Sequence, residues 1–162
     1  MLMHGLLALS ISMIFDNDKL GGLVDWSILD GLREKHQSEA GVPFLDAKEA
    51  YWVLNVQNER KFILVDVRTD GELLLSGTPK GSVNIVWAVR GEENVNFINE
   101  LASLVPSKSQ NIIFMCRSGV RSMCAAEAAL GAGYENVYNL NGGFNAISVT
   151  TPDWVDEWEL HG

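Results

Sequence analysis

The chain has 162 residues, enough for one domain with one hydrophobic core and with little room for a second. Apolar residues make up 47% and charged residues 20%, a globular composition and not a disordered one. The formal net charge is -9 and the longest basic cluster, Arg33-Glu34-Lys35-His36, is interrupted by an acid, which argues against a nucleic-acid partner.

In chain order, Met1–Phe15 (MLMHGLLALSISMIF) is an apolar run like the middle of a signal peptide. It has no Lys or Arg ahead of it and no small-x-small site after it; Asp16-Asn17-Asp18 follows. With Gly, His and two Ser in so short a run, it does not suit a bilayer span. The expectation is a helix or strand packed on a soluble, cytoplasmic protein with no membrane partner. From Leu20 to Lys35 the apolar residues Leu20, Leu23, Val24, Ile28, Leu29 and Leu32 recur near the helical period. Residues 1–43 therefore read as a helical N-terminal extension ending in the small, polar linker Gln37-Ser38-Glu39-Ala40-Gly41-Val42-Pro43.

The main domain, 44–150, alternates strand and helix signals. Asp46-Ala47-Lys48-Glu49 is an acidic capping box that opens a helix through about Val56. Phe62-Ile63-Leu64-Val65 and Ile112-Ile113-Phe114-Met115 are continuous apolar runs that predict strands buried on both faces. Val83–Val86 is a weaker strand. Asn94–Val105 is an amphipathic helix stopped by Pro106. The alanines of Val120–Ala132 favour a helix ended by Gly131 and Gly133, and Val137–Leu140 is the last strand before a turn at Gly142-Gly143. Such alternation predicts an α/β domain, a largely parallel sheet with helices on both faces. In the tail, 151–162, Asp153 is expected to cap a short helix whose tryptophans belong either to the core or to a docking surface.

His4, His36 and His161 are scattered, and the two cysteines, Cys116 and Cys124, make no zinc spacing and no disulfide framework, so neither a metal nor a cofactor is expected. The chemistry falls instead on Met115-Cys116-Arg117-Ser118-Gly119-Val120-Arg121-Ser122. A cysteine at a strand end is ordinarily a small buried hydrophobe. This one closes a buried strand just before a helix, where the amides of a short glycine-containing loop can converge and the helix N-terminus favours an anion. A thiol there ionises more readily, and Arg117 and Arg121 add permanent charge. Cys124, two turns into the following helix among alanines, reads as core.

Cys116-Arg117-Ser118-Gly119-Val120-Arg121-Ser122 resembles the active-site loop of single-domain rhodaneses, which opens with the catalytic cysteine and closes with an arginine five residues on. Three further blocks match in order: Ile63-Leu64-Val65-Asp66-Val67-Arg68 with Glu72, Gly77-Thr78-Pro79-Lys80-Gly81-Ser82-Val83-Asn84-Ile85, and Tyr138-Asn139-Leu140-Asn141-Gly142-Gly143-Phe144. The resemblance covers nearly two-thirds of the chain, from about Phe44 to Ile147. Thr78-Pro79 departs from the family's His-Ile pair, and Ser82 from its usual small residue.

The resemblance implies a rhodanese-like fold with an open, mostly parallel five-stranded sheet. It also implies a sulfurtransferase that moves sulfane sulfur from thiosulfate or a persulfide to a thiol, a protein acceptor or cyanide, through a persulfide on Cys116. Arg117, Ser118, Gly119, Val120, Arg121 and Ser122 would bind the substrate: their amides cradle the persulfide, and Arg121 with Arg117 holds a donor's sulfonate. Asp66, Arg68 and Glu72 would form a supporting ion-pair network. Two other readings stay open. One is a sulfur carrier or binding module that works without turnover or only with a partner. The other is a cysteine-dependent phosphatase or arsenate reductase, against which the loop is one residue too short to wrap a phosphate.

Overall fold

The computed structural model describes residues 37–158. Residues 1–36, with the helices and the packing expected of them, lie outside the described residues. The linker's end is a bridged turn: Gln37 pairs with Pro43, the Ser38 amide donates to the Val42 carbonyl at 2.8 Å, and Val42 is buried.

Five strands form one sheet in the spatial order β1 (Phe44–Leu45), β8 (Asn136–Leu140), β7 (Asn111–Met115), β2 (Ile63–Asp66) and β4 (Val83–Asn84). All four pairings are parallel. Five helices flank it: α1 (Ala47–Asn55), α2 (Asp70–Ser76), α3 (Phe97–Leu104), α4 (Val120–Gly131) and α5 (Gly143–Thr150). Strand β7 is central, and Ile112, Ile113, Phe114 and Met115 are all fully buried, as a continuous apolar run demands. Side chains alternate along it. Ile112, Phe114 and Cys116 share a core with Phe97 and Leu101 of α3 and Ala125, Ala126 and Ala129 of α4, so Ile113 and Met115 point to the opposite face. The small alanines let α4 lie close over the strand that ends at Cys116.

The box at Asp46 forms as read: its carboxylate accepts from the Glu49 amide at 2.8 Å and Glu49 accepts from the Asp46 amide at 3.1 Å. Two helices go beyond the sequence reading. Helix α2 starts on a second capping box, Thr69 with Glu72, and α5 follows Gly142 at φ +78 where only a turn was read.

Three elements differ in extent or type. Strand β4 stops at Asn84, whose side-chain amide donates to the carbonyls of Asp66 and Arg68 at 2.9 Å each. Helix α3 begins only at Phe97, because the Asn94 amide closes a turn onto the Trp87 carbonyl and the Asn94 side chain accepts from Asn96. That turn closes a hairpin of β5 (Ala88–Val89) and β6 (Glu92–Glu93). Among the described residues the expected tail helix is absent: a single 3-10 turn, Pro152–Trp154, leads into β9 (Val155–Asp156), antiparallel to β3 (Thr78–Pro79). Pairing with β3 offers those backbone groups partners that a free helix end would lack. Trp154 is buried there, edge-on to Tyr51 at 5.6 Å, with its indole N–H on the Lys80 carbonyl at 3.2 Å, so it belongs to the core. Among the described residues no helix is long and apolar enough to cross a membrane.

Phe114→Ala, which empties the middle of the central strand, is expected to cost about 3–5 kcal/mol of stability. Urea unfolding checks this, and a loss near zero would mean that the sheet centre is not the core.

Candidate active site

Strand β7 delivers Cys116 to the sheet's C-terminal edge, and Gly119, at φ +103, turns the chain into α4. A side chain at Gly119 would also press on the Leu140 carbonyl and the Gly142 amide, each 3.4 Å away, so glycine suits both the conformation and the space. The Gly119 amide donates to Cys116 Sγ at 3.0 Å, and the Ser122 hydroxyl lies 3.3 Å from the same atom. The amides of Ser118 and Ser122 also favour a charged sulfur. Burial pushes the Cys116 thiol up, but the Ser122 hydroxyl and amide and the amides of Gly119 and Ser118 outweigh it and hold the thiol below its ordinary value.

Bonds on the reverse side of the loop keep those amides turned inward. The Phe144 amide donates to the Cys116 carbonyl at 2.8 Å, and the Asn145 amide to the Arg117 carbonyl at 3.0 Å. A β-carbon at Gly143 would overlap both carbonyls, so this close approach of α5 requires glycine. Asn139, buried on β8, donates from its amide nitrogen to the Gly119 carbonyl at 3.0 Å. From sequence, Asn139 and Gly143 are named only within the Tyr138–Phe144 block and the Gly142-Gly143 turn, without a part in the site. The paired glycines were the one local signal for α5's approach.

The carboxylates and arginines fall into two pairs. Arg68 and Asp66 are both buried and joined at 2.7 Å. Arg68 also donates to Ser76 Oγ and the Gly77 carbonyl, each at 2.8 Å, and lies 4.1 Å from the centre of the Phe144 ring. Thr78, where the family pattern has histidine, donates to Asp66 at 2.9 Å and meets Ser82 at 2.8 Å. Glu72 does not extend this pair. It takes both ends of the Arg121 guanidinium, at 2.7 and 2.8 Å, the bidentate geometry favoured by arginine and carboxylate. That bond is the largest influence on the Glu72 carboxyl, which falls from 4.5 to about 2 against the opposing effect of burial, and it raises Arg121 in turn.

Of the loop residues read as substrate-binding, Gly119 and Ser122 hydrogen-bond to the sulfur, and the Ser118 amide favours its charge. Arg117 and Val120 are exposed. Arg121 is engaged by Glu72, so it is not free to be a sulfonate's main anchor. Arg117 lies on the wall of a cleft of about 220 Å³ beside the site, with Glu72, Arg68, Leu75 and Phe144. Both cysteines are free; Cys116 is buried and Cys124 exposed, which sets aside the core reading of Cys124. Helix α4 turns Cys124 outward while its alanines face the sheet.

Comparison with known proteins adds to this geometry. A family model described as the rhodanese-like domain matches residues 49–150. The mouse thiosulfate sulfurtransferase/rhodanese-like domain-containing protein 3 is 34% identical over 91 residues, 54% of this chain and 58% of that protein, so the chain spans less than two-thirds of this relative's length. The Arabidopsis thaliana rhodanese-like domain-containing protein 17 is 30% identical over 129 residues, 76% of this chain and 80% of that one. The crystal structure of Rv0390 from M. tuberculosis is similar with a TM-score of 0.54 at 34% identity, covering 62% of this chain and 77% of that chain.

A carboxyl held low in the folded state stabilises it above the unfolded pKa, and that contribution fades as pH falls through the folded value. The stability gap between wild type and Glu72→Gln is therefore expected to be widest above about pH 5 and to narrow as the pH falls toward 2. Urea midpoints across that range measure it; a gap independent of pH would show that the charge on Glu72 is not what Arg121 uses.

Proposed function

The chain belongs to the rhodanese-like domain family, and on that premise we propose that it is a sulfurtransferase carrying sulfane sulfur as a persulfide on Cys116. One observation carries this reading: the Gly119 amide and the Ser122 hydroxyl both meet the buried Cys116 Sγ, and the neighbouring amides of Ser118 and Ser122 favour charge on it. Such a nest stabilises an anion on sulfur without any ion to be displaced.

The Cys116 thiolate attacks the outer sulfur of thiosulfate, forming Cys116 S–S as the donor's S–S bond breaks and sulfite leaves with the electron pair. The outer sulfur of the resulting persulfide is anionic. A second nucleophile, a thiolate or cyanide, then bonds to that outer sulfur. The Cys116 S–S bond breaks and the thiolate returns to its amides. No net oxidation occurs, so no cofactor is called for. Arg117, the exposed arginine of the cleft wall, is the group to hold a donor's sulfonate, with Arg121 and Glu72 bracing α2 against the start of α4. A short loop whose donors already meet on Sγ suits a sulfur better than a tetrahedral oxyanion, which weighs against phosphatase chemistry. Reduced cytoplasmic surroundings suit a chain with two free cysteines. Of the rival readings, a module that binds without taking up sulfur separates at the mass measurement below, and a carrier that loads but does not turn over separates in the kinetics.

Incubation with thiosulfate is expected to add roughly 32 Da, one sulfur, to the intact mass. Cyanide should remove it, and Cys116→Ser should never gain it. A folded, reduced protein that gains nothing would favour the binding module. Arg117→Ala is expected to raise the KM for thiosulfate about tenfold, the loss of one charge-assisted contact, with kcat and the thermal midpoint little changed. Steady-state kinetics decide, and an unchanged KM would remove Arg117 from donor binding.

A further inference from the structure

Ser122 has one hydroxyl proton and two claimants for it. Its Oγ lies 2.6 Å from Asn139 Oδ1 and 3.3 Å from Cys116 Sγ, and all three residues are buried. The orientation of the Asn139 amide follows from its other end. The Gly119 carbonyl can only accept, so the amide nitrogen faces it, at 3.0 Å, and the oxygen faces Ser122. Between a hydroxyl and an amide oxygen at 2.6 Å, only the hydroxyl can donate. Among the described residues no other donor reaches that oxygen.

We propose that Asn139 is a positioning residue that meters the reactivity of Cys116 by competing with its sulfur for the proton of the Ser122 hydroxyl. While Cys116 is a thiol, its S–H donates to Ser122 Oγ, and the hydroxyl donates onward to Asn139. When Cys116 loses its proton to water, a lone pair of Oγ would face the negative sulfur. The hydroxyl then turns to donate to Sγ, and the Asn139 oxygen is left buried without a donor. The cost of that orphaned acceptor is borne only by the thiolate. In the persulfide the charge sits on the outer sulfur, Sγ no longer needs the proton, and the hydroxyl returns to Asn139. Asn139 thus favours the thiol and the loaded persulfide over the bare thiolate. This functional weight rests on Cys116 being the sulfur carrier, whereas the proton competition itself does not.

The charges around Sγ come from the other elements: Arg117 in the loop, Arg121 at the start of α4, Glu72 on α2 and the Asp66–Arg68 pair at the end of β2. Strand β8 brings only Tyr138, whose ring packs on Phe62, and α5 has no titratable side chain. Replacing Asn139 with a neutral residue leaves all of these in place, so a change in Cys116 titration reports the proton and not a moved charge.

The test follows the Cβ chemical shift of isotopically labelled cysteine against pH in a Cys124→Ser background. Asn139→Leu is expected to lower the Cys116 pKa by about one to two units, the equivalent of an orphaned buried acceptor. Ser122→Ala is expected to raise it. In the Ser122→Ala background, Asn139→Leu should have no further lowering effect, because there is no proton left to compete for. Should the leucine variant not fold, Asn139→Ala takes its place in the same cycle. A purely structural Asn139 predicts the opposite: loosening the Gly119 carbonyl would take the Gly119 amide from the sulfur and raise the pKa. A raised or unchanged pKa in Asn139→Leu, or an equal shift with and without the Ser122 hydroxyl, overturns the proposal. Either result stands whether or not the protein takes sulfur from thiosulfate, so failure here is distinct from failure of the sulfurtransferase reading.

Discussion

A sulfur buried under an α/β sheet can hold negative charge only where several donors face it, and here those donors are held in place from behind. The amides of Phe144 and Asn145 bind the carbonyls of Cys116 and Arg117, and Asn139 binds the carbonyl of Gly119. With its oxygens tied outward to α5 and β8, the loop can turn N–H groups toward Sγ. The rest of the molecule serves that arrangement. The buried Ile112–Met115 run of β7 brings the cysteine to the sheet's edge, the alanine face of α4 lets the helix start close above it, and Gly143 admits α5 to contact distance.

The ion pairs stand around the sulfur without touching it. Arg68 and Asp66 form a buried pair whose spare hydrogen-bonding capacity is taken up by Ser76, the Gly77 carbonyl and Thr78. A buried pair satisfied in this way orients its neighbours, and removing one partner would strand a charge. Glu72 and Arg121 sit nearer the solvent and join α2 to the first turn of α4. The arginine that closes the loop is therefore fixed by a carboxylate, and the exposed Arg117 is the cation presented to the cleft.

Thr78 illustrates how a departure from a family pattern can be absorbed. A histidine at this position would bring an imidazole to Asp66; the threonine hydroxyl reaches the same carboxylate at 2.9 Å and passes the chain of bonds on to Ser82. The neighbouring Pro79 has no N–H, and the antiparallel contact of β3 with the chain's C-terminal segment accommodates it. That contact explains why Val155–Asp156 is a strand and why Trp154 lies buried against Tyr51.

By itself the sequence determined what depends on short-range patterns. The two apolar runs, the capping box at Asp46, the proline stop after α3 and the glycine-containing turn after Cys116 act over three or four residues, and each is legible because periodicity, caps and turns are local physics. The second capping box, Thr69 with Glu72, is an equally local pattern. Only the tertiary structure decided which distant groups meet. Glu72 is four residues from Arg68 but pairs with Arg121, 49 residues away, because the strand order places α2 beside the start of α4. Asn139 faces Ser122 because β8 lies next to β7, a neighbourhood that comes from parallel crossovers and leaves no trace in adjacent residues. A thiolate's environment is the sum of such meetings, so the sequence could point to Cys116 while the fold determined what holds its proton.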